Sequence, residues 1–275
     1  MPEKFAHKKS LGQHFLNSDY APKKMCDAAH LTEGDIVLEV GPGTGILTTE
    51  ILARGARVIA IEADPRAITS LEDSFPSEIA SNQMVIHHHD ARTLNPADFG
   101  VTDHQYKVVA NIPYYISGSL FRSFLDTDCQ PTDLVFLVQK EVAHRIARDP
   151  KESLLSLSVK VFGNPSYVCT VKRGHFNPPP KVDSAIVAIN HISRNAFADI
   201  TRGELFAILH LGFGQKRKQL LGNLAKTYDR NTISALFTDL GIPLDVRAED
   251  LAPDTWFKVL TQLKFSTVNF QAVHR

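Results

Sequence analysis

The sequence predicts an α/β fold in which a doubly wound parallel sheet is followed by a small helical domain. Between Ile36 and about residue 190, short apolar segments with strand character alternate with amphipathic helical segments. The strand segments are almost continuously apolar, which is typical of parallel strands covered by helices on both faces. Beyond about residue 190 the strand patterns stop and only helical patterns remain.

Strands and helices can be assigned in chain order. Five segments read as strands: DIVLEV (35–40), ARVIAIEAD (56–64), MVIHHHDA (84–91), YKVVANIPY (106–114) and TDLVFLVQ (132–139). Helices are expected at GILTTEILARG (45–55), PRAITSLEDSF (65–75) and KEVAHRIARD (140–149). SLLSLSVKVFG (153–163) fits either a helix or a strand. Two further segments, YVCTVKRGHF (167–176) and SAIVAINHI (184–192), are rich in β-formers and lie either side of a proline run.

The change of pattern places a domain boundary near residue 190. Residues 1–190 are expected to form the sheet domain, with a basic arm over residues 1–20, and residues 191–275 a helical domain. The helical domain is expected to contain three amphipathic runs, at 202–228, 230–241 and 253–264.

Composition narrows the class of protein. The 275 residues are 43% hydrophobic and 22% charged, as in an ordinary globular protein, and the net charge is zero. No apolar run approaches the ~18 residues that a membrane span needs. Because the first residues lack the apolar core of a signal peptide, we expect a cytoplasmic protein. Its three cysteines are widely separated, which favours reduced thiols over a metal site.

The turn after the first strand, LEVGPGTGIL, predicts a nucleotide-like ligand. Its glycines, Gly41, Gly43 and Gly45, allow close approach to the backbone, and the next two strands end at Glu62 and Asp90. A carboxylate at the first of these ends can accept both hydroxyls of a ribose, and one at the second can accept from an adenine amine. A nicotinamide dinucleotide would suit this arrangement, but its fingerprint is G-x-G-x-x-G. The pattern here, E-x-G-x-G-x-G, resembles the first motif of S-adenosyl-L-methionine-dependent methyltransferases.

The fourth strand ends in Asn111-Ile112-Pro113-Tyr114, which predicts a site for adenine. The exocyclic amine of adenine is a poor nucleophile because its lone pair is delocalised into the ring. The Asn111 side-chain oxygen and a main-chain carbonyl at Ile112 or Pro113 could accept both N–H bonds, and proline would fix that carbonyl. Tyr114 offers a ring on which the base can stack. In transfer of a methyl group to this amine, the alignment of the two reacting groups contributes most of the rate acceleration. No general base is needed, because the methylated ammonium loses its proton readily.

The chain as a whole resembles the ribosomal RNA adenine N6-dimethyltransferases, particularly those that act on the small subunit. The resemblance covers nearly the whole sequence and rests on LGQHFL (11–16), EVGPGTG (39–45), IEAD (61–64), DA (90–91), NIPYYIS (111–117), QKEVAHRIA (139–147), FNPPPKVDSA (176–185) and GQKRKQLLGNL (214–224). It implies a Rossmann-like class I S-adenosyl-L-methionine-dependent methyltransferase sheet. One departure is His14, where the family usually carries asparagine.

The resemblance also implies roles for matching residues. Those expected to contact the cofactor are His14, Leu16, Gly41, Gly43, Gly45, Glu62, Asp90 and Asn111. Asn111 and the backbone of Ile112 and Pro113 would hold the target amine. Tyr114 would stack on the base and Phe176 would close over its other face. Because the base must leave its stack to enter such a pocket, base flipping is implied.

Basic residues are expected to contact RNA phosphates, and no metal site is expected. Lys140, His144 and Arg148 would share one helix face, with Arg145 beside them. The expected RNA contacts are Lys8, Lys9, Lys140, Arg145, Arg148, Lys216, Arg217 and Lys218, with Lys172-Arg173 as a further cluster. The run His87-His88-His89 cannot form a metal site alone because alternate strand residues face opposite ways.

The leading hypothesis is therefore an enzyme that dimethylates N6 of two adjacent adenosines in a 3′-terminal hairpin of small-subunit (16S) rRNA. The resemblance implies an immature small subunit as partner, and we expect a monomer without metal or membrane association. Three alternatives remain open. They are an Erm-type methyltransferase of large-subunit rRNA that confers macrolide resistance, a mainly non-catalytic ribosome-assembly or transcription factor, and a dehydrogenase.

Overall fold

A seven-stranded mixed sheet organises the first part of the protein in a computed structural model, which describes residues 14–194 and 200–265. Its strands are β2 (Ile36–Val40), β3 (Arg57–Glu62), β4 (Met84–His88), β5 (Lys107–Asn111), β6 (Asp133–Gln139), β7 (Asn164–Val171) and β9 (Ser184–Asn190). A separate two-stranded ladder pairs β1 (Phe15–Leu16) antiparallel with β8 (Phe176–Asn177). The order across the main sheet is β4-β3-β2-β5-β6-β9-β7.

The sheet confirms the predicted α/β class but is not wholly parallel. Strands β4, β3, β2, β5 and β6 run parallel, whereas β9 pairs antiparallel with β6 and β7 antiparallel with β9. Because β2 lies between β3 and β5, the chain order reverses there, and the crevice outside the carboxyl ends of such strands is where open α/β sheets bind ligands.

Helices cover the sheet, and their starts follow from local sequence. They are α1 (Tyr20–Ala28), α2 (Ile46–Ala53), α3 (Pro65–Ser74), α4 (Pro76–Ala80), α5 (Ser117–Leu125) and α6 (Lys140–Ala147). Helix α3 begins with Pro65 in its first position, and the Asp64 side chain accepts a hydrogen bond from the Arg66 amide. Such a cap stabilises a helix by about 1 kcal/mol. Helix α6 confirms the helix predicted from residue 140, although it ends before Arg148.

The hydrophobic core of the sheet unit lies between the sheet and the helices that cover it. The central strands are buried along nearly their whole length, with side chains such as Val109 and Val135 fully buried. Phe136 of β6 meets Phe121 and Phe124 of α5 edge-on, with ring centroids 5.0 and 6.1 Å apart. These aromatic contacts fix α5, and therefore the segment that leads into it from β5, against the sheet.

The chain divides into two compact units by its internal contacts. Among the described residues, the sheet unit comprises 14–148 and 163–193, and the helical unit comprises 149–162, 194 and 200–265. The segment 149–162, which the sequence analysis placed in the first domain, thus groups with the second. Its ambiguous part is helix α7 (Leu154–Lys160), which begins at a capping box formed by Ser153 and Ser156.

The helical unit further contains α8 (Arg202–Gly212), α9 (Leu220–Leu224), α10 (Arg230–Asp239) and α11 (Pro253–Phe265). Trp256 is fully buried, stacks on Phe213 and donates its indole N–H to the Ala248 carbonyl at 3.0 Å. Gly212 packs against that ring, where a Cβ would lie 2.4 Å from it. In the parts of the chain that the structure describes, no helix is long and apolar enough to cross a membrane.

Candidate active site

One cleft at the carboxyl edge of the sheet brings together the loops after β2, β3, β4 and β5. Most of the residues that the sequence analysis proposed for the site line it: His14, Gly41, Gly43, Glu62, Asp90, Asn111, Ile112, Pro113 and Tyr114. The glycine turn and the Asn111–Tyr114 segment therefore face a shared space. Leu16, Gly45 and Phe176 are not among the cleft-lining residues.

The glycines of the turn serve different purposes. Gly41 has a φ of +67° and a Cβ there would meet no atom within 4 Å, so the open side of this backbone faces the cleft. At Gly43 a Cβ would lie 2.6 Å from the Phe15 ring, and at Gly45 one would lie 2.7 Å from the Phe75 ring. Only the first of these positions thus leaves space for a ligand, whereas the other two admit aromatic side chains of the protein.

Glu62, at the end of β3, ties that strand to the glycine turn. Its Oε2 accepts from the Gly43 amide at 3.1 Å, and its Oε1 accepts from the Ala63 and Asp64 amides at 2.8 and 2.9 Å. Burial raises the pKa of this carboxyl, and the three amide bonds oppose that rise. Two oxygens can accept about four hydrogen bonds, so one lone pair remains for a ligand at the cleft.

A second carboxyl, Glu39, lies under the turn and away from water. It is 1% exposed, and its Oε2 accepts from the Thr48 hydroxyl at 2.7 Å. Its other oxygen has no hydrogen-bond partner among the described residues. Burial raises the pKa of Glu39 to about 8. The group is therefore mostly protonated at neutral pH, and it supports the turn without bringing a full negative charge to the cleft.

Asp90 follows β4 and is engaged by an arginine that the sequence analysis did not consider. Arg92 approaches both carboxylate oxygens, the closest contact being 2.5 Å, and its amide donates to Oδ1 at 2.9 Å. These bonds from Arg92 hold the pKa of Asp90 at about 2. Asp90 is therefore an anion in a bidentate pair, and an adenine amine would share it with the guanidinium.

The orientation of the Asn111 amide is fixed by its surroundings. Its Nδ2 donates to the main-chain carbonyl of His14 at 3.2 Å. Because a carbonyl oxygen can only accept, the nitrogen must be the atom on that side. The Asn111 oxygen consequently remains available as an acceptor in the cleft, as the proposed contact with an amine requires.

Tyr114 is held at both ends. Its hydroxyl hydrogen-bonds to the hydroxyl of Ser184, which is fully buried at the start of β9, at 2.7 Å. Its ring lies against the imidazole of His14, with centroids 5.7 Å apart and an angle of 26° between the planes. Burial raises the pKa of the phenol, which stays protonated. Tyr114 is thus a fixed aromatic wall of the cleft.

Two of the predicted site residues lie in the hydrophobic core. Phe176 is 3% exposed and stands opposite Leu16, which is 6% exposed, in the ladder of β1 and β8. The sequence analysis expected Phe176 to close over the face of a base held by Tyr114. The structure instead buries Phe176 in the core, outside the cleft. Alternation along β8 turns Phe176 inward and Asn177 outward.

The predicted basic residues within the described part of the chain are exposed, but three of them have local partners. One of the three is Lys172, which pairs with Asp183 at 2.9 Å. Lys140 and the run Lys216–Lys218 are exposed, whereas Arg145 pairs with Glu141 at 2.6 Å. Arg148 lies past the end of α6 with its guanidinium 3.9 Å from the centre of the Tyr167 ring. The stripe expected along one helix face thus does not extend to Arg148. Lys8 and Lys9 lie outside the described residues.

The histidine run packs against an aromatic ring. His87 and His89 both meet Phe99 edge-on, with centroids 5.1 and 5.2 Å apart, while His88 is exposed on the other side of the strand. Among residues 14–194 and 200–265, no group of three or more His, Cys, Asp or Glu side chains could hold a metal ion.

Sequence reasoning missed several cleft residues that lie beside its motifs. They are Phe15, Val40, Ile61, Ala63, His89, Ala91, Tyr115 and Ile116. Most of them lie next to motif residues at the ends of predicted strands, so extending each motif by one or two residues would have found them. Phe15 is different, because only the fold brings it onto the turn at Gly43.

The cleft suits S-adenosyl-L-methionine. The Gly41 backbone is open to the cleft, Glu62 retains one lone pair for a ribose hydroxyl, and Asp90 stands at the next strand end. Apolar residues such as Ile61 and Ile112 line the walls beside them, as is usual where a flat base binds. The residues present therefore fit this cofactor.

Comparisons with known proteins place the chain by sequence and by fold. A ribosomal RNA small subunit methyltransferase A of Dehalococcoides mccartyi is 40% identical over 252 residues, covering 90% of this chain and 86% of the relative. A dimethyladenosine transferase from Plasmodium falciparum superposes with a TM-score of 0.78 at 26% identity, covering 94% of this chain and 100% of that one. The 23S rRNA methyltransferase ErmE superposes with a TM-score of 0.71 at 23% identity, over 91% of this chain and 99% of its own, and shares the fold. The model of the ribosomal RNA adenine dimethylases matches residues 4–264, and the chain belongs to that family.

Proposed function

We propose that the protein transfers methyl groups from S-adenosyl-L-methionine to N6 of adenosine in small-subunit rRNA, forming N6,N6-dimethyladenosine. The observation that carries this proposal is the shared cleft, in which the glycine turn after β2 faces the Asn111–Tyr114 segment after β5. Family membership and relatives named as small-subunit methyltransferases support it.

The residues of the chain prepare the amine for reaction. The Asn111 oxygen accepts one N–H of the target amine, and the carbonyl of Ile112 or Pro113 accepts the other. Two acceptors favour a pyramidal nitrogen whose lone pair is free to attack. Each neutral hydrogen bond contributes about 1 kcal/mol, whereas alignment of the reacting groups can lower the barrier by ~7–11 kcal/mol. Bound S-adenosyl-L-methionine supplies a methyl group on a positively charged sulfur, and the amine proton leaves to water after transfer.

Tyr114 holds the base. Its hydroxyl is tied to Ser184 and one side of its ring is covered by His14, so the other face receives the adenine. Stacking of this kind is worth ~1–3 kcal/mol per base. The target nucleotide must leave its own stack to reach this wall, which requires base flipping.

Recognition of the wider RNA is assigned to the exposed basic residues. Lys140 and Arg145 of the sheet unit and Lys216–Lys218 of the helical unit would contact phosphates, together with Lys8, Lys9 and Arg148. We assign the helical unit to rRNA binding as a whole. Binding of this kind weakens steeply as salt concentration rises, because counterions released from the RNA must be recaptured.

As the resemblance to the family implies, we propose that the substrate is a 3′-terminal hairpin of 16S rRNA with two adjacent adenosines, presented by an immature small subunit in the cytoplasm. The protein would act as a monomer and contribute to small-subunit biogenesis. Incubation with labelled cofactor and either small or large subunits tests this assignment. Label in dimethyladenosine of small subunits supports it, whereas label confined to large subunits indicates an Erm-type activity. No label with either particle, in a protein that still binds small subunits, indicates an assembly factor.

A further inference from the structure

Residues 14–20, the N-terminal strap, line the cleft with their first two residues, and these contact the glycine turn and the Asn111–Tyr114 segment. Phe15 packs on the glycine turn at Gly43, while the carbonyl of His14 accepts from the Asn111 amide at 3.2 Å. The cofactor side and the target side are therefore linked through two consecutive residues. This inference rests on the function proposed above.

The strap is itself fastened to the segment 174–178. Ladder pairing joins β1 to β8, the Asn17 amide donates to the His175 carbonyl at 3.0 Å, and the Ser18 hydroxyl bonds to the His175 ring at 3.0 Å. At the cleft end, Nδ1 of His14 lies 2.9 Å from the Pro178 carbonyl. That carbonyl can only accept, so Nδ1 carries the hydrogen and the position of the imidazole is fixed.

The imidazole in turn supports Tyr114. The two rings lie 5.7 Å apart, within the range of about 4.5–7 Å for direct aromatic contact, so no base fits between them. The covered face of Tyr114 cannot receive the adenine, and the base is directed to the opposite face. Residue 14 of this chain thus carries a ring that contacts the predicted base platform.

We infer that His14 is a positioning residue for the target adenine, which aligns Tyr114 through its ring and Asn111 through its main-chain carbonyl. The resemblance to the family implied a contact with the cofactor instead. The two roles differ in what they change. A positioning role alters the rate of methyl transfer, whereas a cofactor contact alters the affinity for the cofactor.

The test compares His14→Ala, His14→Phe and His14→Asn with the wild-type protein and with Ser18→Ala, a strap variant that touches neither Asn111 nor Tyr114. Two quantities are measured for each variant. The first is the single-turnover rate of adenosine methylation with saturating cofactor and RNA. The second is the dissociation constant of S-adenosylhomocysteine by calorimetry. Thermal melting identifies any variant that does not fold.

The expected result is a rate at least about tenfold lower in His14→Ala, since misplacement of about 1 Å can lower a rate by up to about a hundredfold. The dissociation constant should change by less than about twofold. His14→Phe keeps a ring against Tyr114 and should recover more of the rate than His14→Asn. Ser18→Ala removes one bond of the strap but leaves the ladder of β1 and β8 intact, so it should lose much less of the rate than His14→Ala.

Other outcomes overturn the inference. These are weaker S-adenosylhomocysteine binding at an unchanged rate, an unchanged rate and affinity in folded His14→Ala, and an equal loss of rate in Ser18→Ala. If His14→Ala does not fold, His14→Asn matching His14→Phe overturns it as well. Failure of the wild-type protein to methylate adenosine would instead refute the proposed function, which keeps the two failures distinct.

Discussion

The backbone amide of Gly43 donates a hydrogen bond to the Glu62 carboxylate across 3.1 Å, joining the glycine turn after β2 to the end of β3. The same carboxylate accepts from the amides of Ala63 and Asp64. One side chain therefore shapes both the turn and the strand end on which the cofactor is expected to lie. Glu62 has a structural task in addition to any contact with a ribose.

Glu62→Gln should weaken both the hydrogen bonds that hold the glycine turn and the contact with the cofactor. One oxygen becomes an NH₂ group that must face a backbone N–H, and an unsatisfied buried donor costs about 1–3 kcal/mol. We expect a loss of that size in the free energy of unfolding, measured in urea. Calorimetry should show S-adenosyl-L-methionine binding weakened by about tenfold or more, because a hydrogen bond to a charged group contributes about 1.5–3 kcal/mol. Glu72→Gln, on the exposed face of α3, is the control; equal behaviour of the two variants would contradict this role.

Gly41→Ala should separate ligand binding from backbone strain. Gly41 and Gly34 have φ angles of +67° and +86°, and a Cβ at either position meets no atom within 4 Å. Both alanine variants should lose roughly 1–2 kcal/mol of unfolding free energy from the left-handed backbone. Only Gly41 lines the cleft, so only Gly41→Ala should also bind S-adenosylhomocysteine more weakly. Equal calorimetric affinities in the two variants would place the ligand elsewhere.

Stability should fall as pH rises because of Glu39. Its pKa is raised from 4.5 to about 8 by burial, so between these values the folded state holds a proton that the unfolded state has released. The free energy of unfolding therefore decreases with pH across that window. Glu39→Gln cannot ionise, and urea titrations should show a shallower decrease than in the wild-type protein between about pH 5 and 8. Parallel pH profiles for the two proteins would show that Glu39 does not carry this effect.

Substitutions of Tyr114 should separate the effect of its ring on the methylation rate from the effect of its hydrogen bond to Ser184. Tyr114→Phe keeps the stacking surface but loses the bond to the Ser184 hydroxyl, which contributes about 1 kcal/mol. We expect its methylation rate to fall by less than about tenfold. Tyr114→Ala also loses base stacking of ~1–3 kcal/mol, and its rate should be much lower. Single-turnover assays with RNA measure both, and equal rates for the two variants would rule out the ring as the base platform.

The sequence predicted the sheet where the signal was local. Five apolar strands and their terminal glycines, carboxylates and amide could be assigned because each motif directly follows its strand. The antiparallel direction of β7 and β9 could not, since pairing between strands is not encoded in either strand alone. Helix α7 was ambiguous because serines interrupt its apolar pattern, and the cap formed by Ser153 and Ser156 settles it.

The site was predictable to the same extent. Asn111 and Glu62 end predicted strands, and both line the cleft. Phe176 does not, because an aromatic residue before a proline run does not reveal which face of a short strand it occupies. The contact of His14 with Pro178 joins residues 164 positions apart, and no local pattern could have shown it.

The central claim is that the target amine is held at the end of β5, and Asn111→Ala tests it most directly. The measurement is the single-turnover rate of N6-dimethyladenosine formation in small-subunit rRNA, with RNA affinity determined in parallel. Asn17→Ala is the control, since the side-chain amide of Asn17 donates to the exposed carbonyl of Gly174 at 3.0 Å and neither residue lines the cleft. The account predicts a loss of about a hundredfold or more for Asn111→Ala, with unchanged RNA affinity and a wild-type rate for Asn17→Ala. Methylation by Asn111→Ala at the wild-type rate would contradict it.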